Sequence, residues 1–384
     1  MTPHVPRMNR RVFTVFLIVG IPILAIGLLI VLTLARARLS DSYGRHLGEV
    51  AQQAATAVDG HLNRAQIYAF TLARTPTLRQ AVADANRLSL DMTEVSQIDE
   101  VWRSNAPLPA AAAAVLRTPA ARFLTDVATQ DSIYAELLLT DRHGRLTAAS
   151  NRVSDYFQAD EDWWKAAFDG GVRGRIVVSD VRWDASAHRY AIEISVPVAE
   201  PDSDNLGGIL KVVTDSREML SLIMGLRLGG TGQAMLLRDD GTIVFSHMLA
   251  PDTRFYAAER VGQHTAVLRE GSPEQTGSFR ATTASGETFV VGLAPSLLAA
   301  THPHLLWTVA VMQSEAELLA PVRALGWYLL AVFGLSALAV LILALWFSLR
   351  IARSPVDADM HLVHHPPVMH IGSTDEPILE DETT

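Results

Sequence analysis

Cysteine is absent from the 384 residues, so no disulfide framework exists. The absence also suits an oxidising compartment, where stray thiols are a liability. A basic surplus is missing too: 32 Lys and Arg against 41 Asp and Glu give a net charge of −9. Phosphate backbones need a basic face, so nucleic acid is excluded as a partner. Catalytic signatures are equally missing. The chain has no G-x-S-x-G elbow, no H-E-x-x-H and no P-loop. Leu228-Gly-Gly-Thr-Gly232 is not followed by Lys-Ser/Thr and reads as a turn. Ser246-His247 has no positioning motif around it and reads as a strand end rather than part of a triad. No enzyme activity, metal or cofactor is expected.

Two stretches have no charge at all. Residues 12–34 give 23 uncharged, largely apolar positions and residues 325–349 give 25. Either length crosses a hydrocarbon core of about 30 Å. Trp327, Tyr328 and Trp346 stand near the ends of the second run, where aromatic rings favour a membrane interface. The first run is longer than a signal-peptide core and no A-x-A-like site follows it, so it reads as a retained span, with Pro22 tolerated inside it. Arg7, Arg10, Arg11, Arg350 and Arg353 lie outside the pair of spans, against Arg36, Arg38 and Arg323 between them. This bias predicts both termini in the cytoplasm and the region between the spans outside it.

That region begins with a helical stripe, Tyr43, Leu47, Val50, Ala54, Val58, Leu62, Ala65, Ala69 and Leu72, running to Thr75-Pro76. At ~1.5 Å per residue such a stalk spans about 50 Å. It either packs only on its own domain or also meets a parallel partner helix along its proximal part. Residues 77–129 read as further helices, interrupted by the Pro- and Ala-rich stretch 106–114. From Ser132 the texture becomes strands at 133–140, 145–150, 175–181, 188–198 and 206–214, separated by turn residues. The pattern then recurs. Gly241 answers Gly144, residues 289–295 answer 190–197, and 305–312 answer 206–214, at an offset of about 97 to 99. Such a duplication predicts an α+β fold with two tandem antiparallel sheets hung on one long helix. A helix over 314–323 then leads into the second span.

Four segments carry a family resemblance: Asp160-Glu-Asp-Trp-Trp-Lys-Ala-Ala167, Val178-Ser-Asp-Val181, Ser195-Val-Pro197 and Gly208-Ile-Leu-Lys-Val-Val-Thr-Asp215. In this order and spacing, over roughly 35–323, the chain resembles the double Cache (PDC-like) extracytoplasmic sensor domains of bacterial receptors. The resemblance implies PAS-like modules and the following organisation: cytoplasmic N-terminus 1–11, span 12–34, stalk and helical region 35–130, membrane-distal module 131–225, membrane-proximal module 226–322, span 325–349, and acidic tail 350–384. It also places the ligand pocket in the distal module, between the sheet and a loop–helix with an aromatic pair, here Trp163-Trp164. Trp163 is the aromatic wall for a cationic head group, and Trp164 the helix anchor. Amino-acid-sensing members have an Arg before the first aromatic, where this chain has Glu161. Asp215 occupies the position of their amine-binding Asp. Their Tyr-x-Asp becomes Arg182-Trp183-Asp184, leaving Arg182 as the anion contact and Asp184 as a further carboxylate. Tyr156 and Tyr190 complete the lining.

The implied function is a sensor in the bacterial inner membrane for a small polar metabolite, an amine, amino-acid-like or carboxylate compound, working as a homodimer. Such receptors continue into a HAMP linker and an output domain. Here about 35 residues follow the second span, with an acidic run at 375–382 and His361, His364, His365 and His370, which read as unstructured rather than metal-binding. Signalling is therefore expected through a separate protein such as a histidine kinase, a cyclase or a chemoreceptor-type output. A non-sensory membrane scaffold using the same domain is the alternative.

Overall fold

The computed structural model describes residues 10–89, 91–104, 107–184, 189–226, 228–246, 248–270 and 276–351. The histidines of the tail and His247 lie outside the described residues. The chain forms two units, one of residues 1–32 with 325–384 and one of residues 33–324.

The first unit holds the start of helix α1 (Arg10–Ala73) and most of helix α10 (Ala320–Ile351). Both are long and apolar enough to cross a membrane. Their apolar side chains point outward, Ile18 66 % and Leu335 69 % exposed, an arrangement that water disfavours and lipid accepts. At Gly20 an added Cβ would lie 3.1 Å from the Val340 side chain, so a small residue sits where the two helices approach.

In the second unit α1 ends at Ala73, and Pro76 opens helix α2 (Pro76–Asn86), its fixed φ suiting a first turn. Helix α3 (Met92–Arg103) starts with a complete capping box, Asp91 and Glu94 each accepting the other's backbone N–H. Helices α4 (Ala110–Ala114) and α5 (Pro119–Gln130) complete the helical region expected before the sheets.

The first sheet contains β1 (Tyr134–Asp141), β2 (Leu146–Ala149), β3 (Val177–Val178), β4 (Arg182–Asp184), β5 (Arg189–Ala199) and β6 (Leu206–Asp215). Its order is β2-β1-β6-β5-β3, with β4 also on β5, all antiparallel. Helix α6 (Asp162–Phe168) lies between β2 and β3 in the chain, and α7 (Arg217–Met224) follows β6. The second sheet, β7 (Gln233–Leu237), β8 (Ile243–Ser246), β9 (Gly277–Thr282), β10 (Thr288–Pro295) and β11 (Thr308–Ser314), has the order β8-β7-β11-β10-β9, with helix α8 (Ala258–Arg269) between β8 and β9. The two orders are the same, as a duplication requires.

The repeat extends to single bonds. Gly144 and Gly241 adopt φ of 80° and 77° in the hairpin turns, a region costly for any side chain. Their carbonyls accept from Gln158 and Phe255 at 2.8 and 2.9 Å, and the ladders bulge at Leu139/Thr140 and Leu236/Leu237. One side of each sheet closes on α1. Leu47, Ala51, Ala54, Val58 and Leu62 share a core with Leu137, Ile194 and Leu210 of the first sheet and Val290, Val309 and Val311 of the second.

One boundary differs from the sequence-based expectation. Residue 314 ends β11, and the helix expected over 314–323 is split into α9 (Glu315–Leu318) and α10. Leu319 leaves the helical region with ψ near 2°, and Pro321 favours a fresh first turn over continuation of the old one.

Candidate functional site

Strand alternation sorts the first sheet's residues onto two faces. On β5, Ile192, Ile194, Val196 and Val198 enter the α1 core, which leaves Ala191, Glu193, Ser195 and Pro197 on the other face. On β6 the core takes Leu210 and Val212, leaving Ile209, Lys211, Val213 and Asp215 opposite. The register sets Glu136 beside Val213 beside Glu193, and Leu138 beside Lys211 beside Ser195. Charged residues thus stand at the centre of the face away from α1.

Lys211 Nζ lies 3.0 Å from Glu193 Oε1 and 4.9 Å from the centroid of the Trp163 ring. Lysine is here both paired with a carboxylate and seated on an aromatic face. Glu136 is 5 % exposed. Burial pushes its carboxyl up to about 7; Lys211 opposes the shift, while the charges of Asp184 and Glu193 add to it. Burial also raises Glu161, as do Asp155 and Asp160, again against Lys211. Three carboxylates, Glu136, Glu161 and Glu193, therefore share the one ammonium group of Lys211. Such an excess of like charge favours protonation or a cationic guest.

The loop–helix element is fixed independently of these charges. Trp164 is buried, donates from Nε1 to Thr140 Oγ1 at 3.0 Å and stacks on Phe168 at 4.5 Å, anchoring α6 to the sheet. That leaves its neighbour Trp163 half-buried over Lys211.

Of the residues singled out from sequence, Trp163 and Glu161 gather around Lys211, while Asp184 stands opposite Arg189 on the neighbouring strand and reaches the cluster only through its charge on Glu136. Arg182 is exposed, in register with Ala191, which in turn faces Asp215. Asp215 shares the face but sits four residues along β6 from Lys211, about 13 Å away at ~3.3 Å per residue. Its carboxylate is engaged by Arg217 Nη2 at 2.7 Å, Arg217 Nε at 2.8 Å, Arg189 Nη1 at 3.2 Å and the Arg217 amide at 2.9 Å. Burial works against ionisation there, but the bonds and charge of Arg217, with Arg189, hold the carboxyl below its ordinary value. The structure thus gives Asp215 arginine partners in place of a ligand amine.

Tyr190 has the parity of Ile192, so its ring packs on the core side, edge-on to Trp183 at 5.3 Å, away from the carboxylates. Tyr156 is buried with Trp102, Leu138 and Leu146 in an apolar cluster against which Trp163 also packs, and burial raises its hydroxyl pKa. Tyr190 thus lies outside the charged cluster, and Tyr156 adjoins it only through Leu138 and Trp163, where both were expected to line it.

Glu136, Glu193 and Lys211 were missed by the sequence reading, although each carries a signal: a charged residue between apolar neighbours inside a strand. Among the described residues no group of three or more His, Asp or Glu side chains is arranged to hold a metal ion.

A stalk helix, two tandem PAS-like sheets and a charged aromatic recess in the first of them define the class of tandem extracytoplasmic-type sensors. The Cache-domain family model, dCache_1, matches residues 35–322, and the chain belongs to that family. No curated protein sequence matches it. Among solved structures it is similar to the ligand-binding domain of Campylobacter jejuni chemoreceptor Tlp3 in complex with L-norvaline, at 13% identity and TM-score 0.48, covering 74% of this chain and 95% of that one. It is also similar to the ligand-binding domain of the Pseudomonas aeruginosa PAO1 amino acid chemoreceptor PctB in complex with L-Arg, at 17% identity and TM-score 0.42, covering 73% and 98%. PctC of the same organism, in complex with GABA, is 16% identical with TM-score 0.41, covering 70% and 99%. These likenesses are remote, and the ligands named belong to those proteins.

Proposed function

We propose that this Cache protein is a membrane-anchored sensor subunit that binds a small cationic metabolite, an amine or an amino-acid-like compound, in its first module. The observation that carries the reading is the surplus of carboxylate around Lys211. Glu136, Glu161 and Glu193 need more positive charge than one lysine supplies, and Trp163 offers an aromatic wall to the same guest. Arg182, exposed on the same face, is the contact for an anionic group if the ligand has one.

The two apolar helices anchor the protein in the bacterial inner membrane, with the Cache domain outside the cytoplasm and both termini within it. The sensor acts as a homodimer and signals through a separate protein such as a histidine kinase, a cyclase or a chemoreceptor-type output. A ligand shifts such a system only if it discriminates between two conformations.

The test is a thermal-shift screen of the full-length protein in lipid nanodiscs, using primary amines, amino acids and carboxylates. At least one cationic compound should raise the melting temperature, and Glu193→Gln and Trp163→Ala should each remove that shift. Stabilisation by carboxylates alone, or a shift that survives both substitutions, would overturn the reading.

A further inference from the structure

A second cavity, of about 740 Å³, lies in the first module among α2, α3, α4, α5 and the β1–β2 hairpin. We infer that it is a second ligand site, for a neutral and mainly apolar small molecule. The inference does not rest on the cationic-ligand reading.

The space has a simple origin in the sequence. Ala81 and Ala85 on α2, Ala112 and Ala114 on α4 and Ala120 on α5 all line it. Three helices thus present methyl groups where larger side chains would have closed the gap. A volume of this size lies within the roughly 300–1,000 Å³ of small-molecule sites.

The charges at its wall show which class of guest is excluded. Asp141 and Arg145 are almost fully buried and pair with each other at 2.5 Å. The other arms of Arg145 donate to the carbonyls of Leu88 at 3.1 Å and Ala85 at 3.0 Å. Asp141 Oδ1 accepts the amides of His143 and Arg145 at 2.8 and 3.0 Å. Asp84 stands exposed at the rim, its Oδ1 accepting from Gln80 at 2.8 Å and Arg87 at 3.0 Å. A charged guest at the inner wall would lose its water and find Asp141 and Arg145 already engaged, a net cost. A neutral guest gains the apolar surface, and Thr118 and Tyr156 are polar lining residues. The cavity also bears on the first site. Asp99 of α3 binds the amides of Tyr156 and Phe157 at 2.8 and 3.1 Å, and the chain from there runs into Glu161 and Trp163. Tyr156, which lines the cavity, therefore belongs to the same chain segment that presents the aromatic wall.

The cysteine-free background allows a direct test. Ala85→Cys places a lone thiol in the wall, with Ala81→Cys, one turn away, as a second reporter should the first fail to fold, and Gln53→Cys on the exposed face of α1 as a control. Each full-length variant in nanodiscs is labelled with N-ethylmaleimide with and without indole, a neutral bicyclic probe. Indole at about ten times its Kd should slow labelling of the wall cysteine by about tenfold and leave Gln53→Cys unchanged. Adding Ala114→Leu to fill the space should abolish the protection. The proposal is overturned if indole protects neither wall reporter, protects Gln53→Cys equally, or protects no better than the anion indole-3-acetate. Because Trp163 and Glu193 are intact in every variant, failure here leaves the cationic-ligand reading standing.

Discussion

Glu136 is the residue whose environment departs most from water among those at the site. Its carboxyl, normally near 4.5, is raised to about 7 by burial, with Lys211 offsetting only part of the effect. The sign of the pH dependence follows. Between 4.5 and about 7 the unfolded chain has lost this proton while the folded chain keeps it, so stability falls as pH rises across that window and is flat above it. The drop is about 3 kcal/mol, and Glu136→Gln should remove it from a series of denaturation curves at pH 4.5 to 8. If the slope persists in the variant, it belongs to another group. A cationic ligand would favour ionised Glu136, so its affinity should increase as pH is raised towards 8.

Lys211 gives a companion prediction. Lys211→Met strands Glu193 and deepens the acidic surplus, costing about 3 kcal/mol, and Glu193→Gln in the same chain should recover part of the loss. Equal melting temperatures for the single and double variants would show that the ion pair contributes nothing. These three charges were in plain view in the sequence as polar positions inside apolar strands, but a strand's parity fixes only which residues share a face. Which face meets α1 had to come from the packing. The same gap explains Tyr190, placed with the site by its residue type and on the core side by its parity with Ile192.

At the level of elements, the strands with turn glycines and apolar alternation were legible, and so was their duplication. Strand β9 was not. Its Gly-Ser-Phe-Arg-Ala-Thr run lies at a sheet edge and does alternate in burial, but its inward positions are Gly277, Phe279 and Ala281, with no β-branched residue among them, so the apolar signal is weak. The turn at Leu228-Gly-Gly-Thr-Gly232 was read correctly as a turn, but its partner could not be inferred. Glu317 of α9 accepts the amides of Gly230 at 2.7 Å and Thr231 at 2.9 Å, together with the Thr231 hydroxyl, so the turn is an anion cradle filled by the chain's own carboxylate. The hydrogen bonds from Thr231 and Gly230 lower the Glu317 carboxyl to about 2. A depressed acid stabilises above its ordinary value and loses that effect only as pH falls towards 2, so this clasp stays closed at physiological pH. In Glu317→Ala, amide hydrogen exchange at Gly230 and Thr231 should accelerate while the β10–β11 ladder stays protected; unchanged exchange at both amides would remove the clasp.

A different tie, unlike the clasp within the second module, joins the two modules. Asp180, in the link between β3 and β4, binds Arg238 Nε at 2.5 Å and Trp307 Nε1 at 2.9 Å, and His304 Nε2 lies 2.6 Å from the Val178 carbonyl. Strand β4, which carries Arg182 and Asp184, follows directly on this segment. Asp180→Ala should cost about 2 kcal/mol by leaving Arg238 and the indole N–H with fewer partners.

On the scale of the whole chain, the two apolar runs were the most legible feature because spanning lipid demands length without charge, and both appear as helices with outward apolar side chains. Orientation is a different matter, since it rests on a few arginines: five outside the spans against three between them. The absence of native cysteine makes this bias directly testable. Gln53→Cys, exposed on α1 within the Cache unit, and Ser354→Cys, beyond the second span, each supply the only thiol in the chain. If the basic residues set the topology, a membrane-impermeant maleimide applied to spheroplasts should label Gln53→Cys and spare Ser354→Cys until the membrane is opened with detergent. Labelling of Ser354→Cys in closed spheroplasts with protection of Gln53→Cys would invert the protein. It would also place the carboxylate cluster in the cytoplasm, where an environmental metabolite could not reach it without transport. The same cells can then report the partner. A histidine kinase or cyclase recovered with the full-length chain from native membrane supports sensing, whereas recovery of an envelope complex alone would favour a scaffold and leave the charge surplus at Lys211 without a signalling role.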